Sequence, residues 1–265
     1  MRETDEQRNS RYAARENERE SISLDELKGR SRRSFLTGGV AALAGFGGWR
    51  WIQGRPADNR IPDVLRRGHE ANETLWRALS RESKLAPTFD RSASSMMRVN
   101  GRHGIRSDID LDRWELVVQN PAGEVIGTHT MDDIRALPKV EMTIEHKCVE
   151  GWSHIVTWGG ARFSDFGALY ADELGEDLTK FVSLSTPDEE YYVGLDIESM
   201  RNPQMLLAYE LQGEPLDLEH GAPLRLATPN KYGIKCIKRI GTIQFTDEQP
   251  TDYWYERGYD WYSQL

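Results

Sequence analysis

The residues best placed to do chemistry form one unbroken run, Glu145-His146-Lys147-Cys148-Val149-Glu150-Gly151-Trp152-Ser153. Met142, Ile144 and His146 alternate ahead of it, which predicts a strand whose end delivers Cys148. The residues leave three readings open. Cys148 is a buried thiol at a strand end, or a nucleophile with His146 or His154 as its base, or a metal thiolate. His146 stands two residues from Cys148 and shares its face on a strand. No local signature of a cysteine hydrolase surrounds it. The chain contains no Cys-x-x-Cys and no His-x-x-x-His, which argues against a zinc or iron–sulfur site built from protein ligands alone. A single cysteine serves as metal ligand when a cofactor brings its own sulfurs, as a pterin dithiolene does.

A second run lies more than seventy residues downstream. Gly221-Ala222-Pro223-Leu224-Arg225 is followed by Pro229, by Lys231-Tyr232-Gly233-Ile234-Lys235 and by Ile237-Lys238. Glycine and prolines placed as turns, among Arg225, Lys231, Lys235 and Lys238, offer cations and free backbone N–H groups to an anion such as a phosphate. A solvated basic strand edge is the plainer alternative. The only other cysteine, Cys236, sits inside this run. Two cysteines in 265 residues do not make a disulfide scaffold, although one disulfide in an oxidising compartment remains open.

The elements that must hold these runs are mostly strands. Strands are expected at Trp114–Val118, Phe181–Leu184, Leu206–Leu211, Leu224–Thr228 and Ile237–Phe245, with Gln212-Gly213 as a hairpin turn. Short helices are expected over Met131–Leu137, stopped by Pro138, and over Phe163–Leu174. An amphipathic helix is expected over 63–82, on Val64, Leu65, Ala71, Leu75, Trp76 and Leu79, and an irregular stretch over 83–98. The fold class is α+β: a β-rich, two-layer body in a single domain. Composition sets further bounds. Charged residues make up 29% of the chain and the formal net charge is −9. Nothing here suggests nucleic acid, and an acidic body disfavours anionic membranes and large polyanions, but it leaves room for a small anion in a locally basic pocket.

The N-terminus reads as an address. Residues 1–30 are polar and expected to be disordered. Arg32-Arg33 then precedes Phe35-Leu36 and a weakly apolar Gly/Ala-rich run to Trp49, the pattern of a twin-arginine export signal. The run is marginal as a membrane span, and no clear Ala-x-Ala cleavage site follows, so an uncleaved N-terminal anchor remains open. The chain therefore divides into a disordered N-terminus with signal and apolar segment (1–57), a helical linker region (58–97) and a body (98–265).

Over roughly 98–265 the sequence resembles the sulfite-oxidase superfamily of molybdopterin oxidoreductases, and within it the periplasmic protein-methionine-sulfoxide reductase catalytic subunits. Cys148-Val149-Glu150-Gly151-Trp152-Ser153 is similar to their Cys-Val-Glu-Ala-Trp-Ser segment. The downstream run is similar to their Gly-Ala-Pro-x-Arg and Lys-Tyr-Gly-x-Lys-x-Ile-Lys. The resemblance implies the β-rich sulfite-oxidase-type molybdopterin-binding fold, a molybdenum–molybdopterin cofactor, and Cys148 as the ligand to the metal. It implies two-electron oxygen-atom transfer, with reduction of a sulfoxide-like substrate. By the same resemblance Thr186, Arg225, Cys236, Ile237 and Lys238 contact the pterin or its phosphate, with His220 where the reductases have an asparagine. Asn100, His103 and Gly104 resemble an Asn-containing segment that leads into the fold. Glu150 is the catalytic candidate beside Cys148, either supporting the metal ligand from behind or facing the substrate.

Two departures matter. The arginines with which sulfite oxidases bind an anionic substrate are missing after Cys148, and a carboxylate there opposes sulfite. The segment after Thr186 is shorter than in the reductases, which leaves the substrate open. The aromatic run Tyr253–Tyr262 is read as a clamp packed on the body. A sulfite-type dehydrogenase and a non-catalytic protein retaining the fold are the rival functions. The expected partners are a small-molecule or protein-bound oxo substrate and a membrane haem or cytochrome electron partner, with no nucleic acid, for a monomeric, exported protein.

Overall fold

A computed structural model describes residues 24–58, 60–79, 85–105, 108–175 and 178–265. Its contacts divide the chain into two units, Met1–Pro56 and Ala57–Leu265. In the first, helix α1 spans Leu24–Gln53. Leu24–Arg30 are therefore helical, where the sequence led us to expect disorder; the rest of that expectation, over 1–23, lies outside the described residues. At 30 residues α1 is about 45 Å long. Its glycines and arginines dilute the apolar run, and among the described residues no helix is long and apolar enough to cross a membrane.

The second unit opens with two short paired strands, β1 (Ala57–Asp58) and β2 (Ile61–Pro62), and helix α2 (Asp63–Leu79). There follow β3 (Leu116–Gln119), β4 (Val125–His129), α3 (Met131–Ala136), β5 (Lys139–Lys147) and β6 (Ser153–Arg162). Next come α4 (Phe163–Gly167), α5 (Ala171–Leu174), β7 (Phe181–Ser185), β8 (Tyr192–Asp196) and α6 (Ile197–Met200). The chain ends through β9 (Leu206–Leu211), β10 (Glu214–Pro215), β11 (Arg225–Ala227) and β12 (Thr242–Thr246). Local chemistry sets several bounds. Thr130 and Asp133 form a reciprocal cap at the start of α3, each accepting from the other's backbone N–H. Gln212 and Gly213 both have positive φ, 59° and 89°, the mirror-image turn that suits a two-residue hairpin between β9 and β10.

The strands make two five-stranded sheets. One runs β10-β9-β6-β5, with β11 also on β9. The other runs β4-β3-β12-β7-β8, where β12 is parallel to β3 and antiparallel to β7. Over 206–209 the side chains divide by period two, Leu206 and Ala208 joining one core, Leu207 and Tyr209 the other, and past the register shift opposite Gly159 and Gly160 Leu211 rejoins the first. The first sheet is thus buried on both faces at β9, which is why 206–209 reads as an unbroken apolar run, ended by Glu210. The larger core fills the space to the second sheet with Leu116, Val118, Val182, Leu184, Ile243 and Phe245. The smaller core, with Ile144, Val156 and Trp158, lies on the other face. The single strand expected over Ile237–Phe245 is shorter than predicted. It begins only at Thr242, because 236–241 turn inward as coil, with Ile237 O accepting from Leu226 N–H and Arg239 N–H donating to Gly221 O.

Candidate active site

Strands β5 and β6 pair in register from Lys139↔Ala161 to Lys147↔Ser153. Residues 148–152 close that hairpin: Cys148 N–H donates to Trp152 O (2.9 Å) and Gly151 N–H to Cys148 O (3.1 Å). Gly151, at φ 85°, takes a conformation that L side chains rarely adopt. Two strand steps beyond Ile144, His146 and Cys148 open into a cavity of about 280 Å³. A shallower opening shares Cys148, Val149, Trp152 and Tyr259 on its outer side. Both cysteines are free thiols, so the disulfide reading falls.

Three features of the cavity bear on what it holds. At the sulfur end, Asn100 Nδ2 reaches Cys148 Sγ (3.8 Å) and Glu150 Oε2 (3.4 Å), and Trp152 Nε1 donates to the same carboxylate oxygen at 2.9 Å. Glu150 is thereby fixed beside the thiol. At the deep end sits Arg225, 1% exposed, donating to the carbonyls of His220 (2.8 Å) and Cys236 (3.2 Å), with its guanidinium over the Trp158 ring. Burial pulls its pKa down to about 10, and Cys236 and Asp217 offset that desolvation only in part. Lys238 donates to the carbonyls of Asn100, Gly101 and Glu219, and burial beside Arg225 lowers its pKa to about 8.

The third feature is His146. Burial, with Arg225 as the next contributor, lowers its pKa to about 3, so its imidazole is neutral. Its Nδ1 is buried without a hydrogen-bond partner. Gly233 presses on its other side: a Cβ there would stand 2.7 Å from His146 Nε2. A thiol, a buried and a half-buried cation held by carbonyls, and an unsatisfied ring nitrogen, all around one cavity, fit a group that is anionic, polar and carries a thiolate-binding metal. Among the described residues no set of three or more His, Cys, Asp or Glu side chains is arranged to hold a metal. Two free thiols line the cavity, Cys148 half-buried and Cys236 buried with its Sγ on Thr228 O (3.9 Å).

The comparisons agree with that donor set. The sequence matches the oxidoreductase molybdopterin-binding domain family over residues 103–254. The chain belongs to that family. It is a molybdopterin-dependent oxidoreductase of the sulfite-oxidase type. A putative protein-methionine-sulfoxide reductase subunit, YedZ1 of Azospira oryzae, is 30% identical over 248 residues, 91% of this chain and 88% of that one. The protein-methionine-sulfoxide reductase catalytic subunit MsrP of Xanthomonas campestris pv. campestris is 31% identical over 160 residues, 56% of this chain. The chain spans about half the length of that MsrP, 49%. Among solved structures, the sulfane dehydrogenase SoxCD from Paracoccus pantotrophus aligns with a TM-score of 0.47 at 17% identity, over 54% of this chain and 40% of that one.

Within this molybdopterin-binding domain the expected site residues separate into groups. Asn100, His103, Cys148, Glu150, Arg225, Cys236 and Lys238 line the cavity. Thr186 does not: its hydroxyl donates to Asp188 Oδ1 (2.6 Å) and accepts from Tyr191 N–H (3.2 Å), holding the turn between β7 and β8. Gly104 packs on Thr186, where a Cβ would meet Thr186 Cγ2 at 2.3 Å. His220 stands behind the wall, its ring nitrogens on Asp217 and Met97 O and its carbonyl on Arg225. Ile237 is core. Of the four cations read as a phosphate grip, two turn elsewhere. Lys235 Nζ pairs with Asp252 Oδ2 at 2.6 Å in the interior, and Lys231 Nζ lies 3.8 Å from Asp196 and over the Tyr262 ring. The terminal aromatic run is only partly a clamp. Tyr253 packs on His103, but Trp254 and Tyr259 line the cavity, as does Tyr191. Aromatic spacing announced that run, but nothing in it marks which rings turn inward.

Proposed function

We propose that this chain is an exported molybdenum enzyme that reduces a neutral, sulfoxide-type substrate by oxygen-atom transfer. One observation carries the reading: the Cys148 thiol sits beside a fixed carboxylate, Glu150, that is itself exposed, while the Arg225 guanidinium on the same cavity is fully buried and Lys238 half-buried. When bound, the molybdenum–molybdopterin group supplies the two-electron oxygen-atom chemistry. Cys148 ligates the metal as a thiolate, since a coordinated thiol is deprotonated. Arg225 and Lys238 offset the cofactor's negative charge, and Asn100 aligns the sulfur and Glu150. Glu150 repels an anionic substrate and accepts a hydrogen bond at the open side. Trp152, Trp254 and Tyr259 wall off water.

In this reading 98–265 is the catalytic body, 58–97 the helical connection to it, and 1–57 the exported leader. Export by the twin-arginine route rests on Arg32-Arg33 ahead of Phe35-Leu36, all exposed on α1. A separate electron-delivering partner is supported by the word "subunit" in the names of both sequence relatives. The test is a paired assay on one molybdenum-loaded preparation. Methionine sulfoxide with a reduced viologen dye should turn over, and sulfite with an electron acceptor should not. A higher kcat/KM for sulfite would replace this reading with the dehydrogenase. A preparation free of molybdenum despite an intact cofactor pathway would favour the non-catalytic protein.

A further inference from the structure

Helix α2 meets the body with the wrong side for a helix held by a core. Arg66 is buried, donates through Nη1 to Tyr255 O, and places its guanidinium 3.9 Å from the centroid of the Tyr255 ring. With Arg67, Glu70 and Glu73 it belongs to the polar side of α2. The apolar arc, Val64, Leu65, Ala71, Leu75 and Trp76, lies on the far side. There Leu65 is 49% exposed, Leu75 55% and Trp76 42%. A regular amphipathic helix docked by its polar side keeps its apolar side for something else.

We propose that the apolar arc of α2 lies on a phospholipid surface, with the helix axis in the plane of the headgroups. Three observations favour lipid over a protein groove. The arc mixes leucines with one tryptophan, and tryptophan favours the headgroup boundary. The segment just upstream, α1, also shows apolar side chains to solvent, among them Phe35, Leu43, Phe46, Trp49 and Trp51, yet it is not apolar enough to cross a membrane. Two consecutive segments of this kind suit a surface without fixed shape. Exposed Arg32, Arg33 and Arg50 on α1 complement anionic headgroups and offset the acidic body. The contact also sets an orientation within the second unit. Tyr255, which anchors Arg66, directly follows Trp254 in the cavity wall. A membrane under α2 therefore lies on the side of the molecule that carries that wall.

The test is flotation of the full chain with vesicles of phosphatidylethanolamine and phosphatidylglycerol. Leu75→Ser with Trp76→Ser should lower partitioning roughly tenfold or more, with α1 unchanged. Leu65→Ser alone should give a smaller fall in the same direction. All three replaced side chains are exposed, so circular dichroism should match the parent. Partitioning equal to the parent in both variants overturns the proposal. So does a dimer in the absence of lipid that the double variant dissolves, because a second copy then covers the arc.

Discussion

At Cys148 the local sequence and the three-dimensional site say the same thing, because the signal is short-range. A strand of alternating Met142, Ile144 and His146 must end where Cys148 stands, and the hairpin puts both His146 and Cys148 on the cavity. The cations are different. Arg225, Lys231, Lys235 and Lys238 look equivalent in sequence, but their fates depend on Asp252 and Asp196, which no local pattern connects to them. Two expected outcomes separate them. Lys235→Met leaves Asp252 buried and unpaired and should cost about 3 to 5 kcal/mol in denaturant unfolding, as broken buried pairs do, with a smaller effect on cofactor occupancy. Lys238→Met should do the reverse, lowering pterin content at nearly unchanged stability. The pH dependence follows from the same residue. The Lys238 pKa falls from 10.5 to about 8 in the fold. Between those values the unfolded chain holds more protons, so this component of stability rises with pH through the window. Below pH 8 the native state bears the full cost of the buried ammonium. Thermal melting of the cofactor-free protein should show that rise, and Lys238→Met should lack it. An anionic cofactor beside the ammonium should flatten it.

At the scale of elements, hydrophobic periodicity marked β9 and the start of α3, and turn chemistry marked Gln212-Gly213. The inward coil at 236–241 escaped notice because β-branched Ile237, Ile240 and Ile243 run through and just past it without a proline, although their spacing of three is not a strand's alternation; the fold buries all three. β6 escaped because Gly159 and Gly160 interrupt its apolar pattern. The reason is close approach: at Gly160 a Cβ would stand 2.2 Å from Leu207 O and 2.7 Å from Ala208 Cα on β9. These atoms are backbone and cannot rotate away. Gly160→Ala should therefore push β6 from β9 and cost roughly 3 kcal/mol, read as a lowered denaturation midpoint. Little loss would mean that the irregular register between Gly159 and Gly160 absorbs the methyl group. The hairpin that carries Cys148 hangs on this β6–β9 pairing, so cofactor content should fall with stability.

For the whole molecule, composition gave no sign of a nucleic-acid partner, but it could not place an apolar helix face or decide whether the signal is cleaved. Lysine at both Arg32 and Arg33 should hold the protein in the cytoplasmic fraction, and undiminished export would remove that part of the account. The family sets the cofactor, and the proposed grip on it centres on one thiol. Substituting Cys148→Ser exchanges a soft sulfur for a harder oxygen in a nearly isosteric side chain, so the fold should persist while the metal loses its protein ligand. The direct measurement is molybdenum content together with visible absorption of the purified wild type, Cys148→Ser and Cys236→Ser. The account predicts a thiolate-to-molybdenum band in the wild type and in Cys236→Ser, and none in Cys148→Ser, with oxygen-atom transfer down by orders of magnitude. A native band and native activity in Cys148→Ser, with both lost in Cys236→Ser, would contradict it.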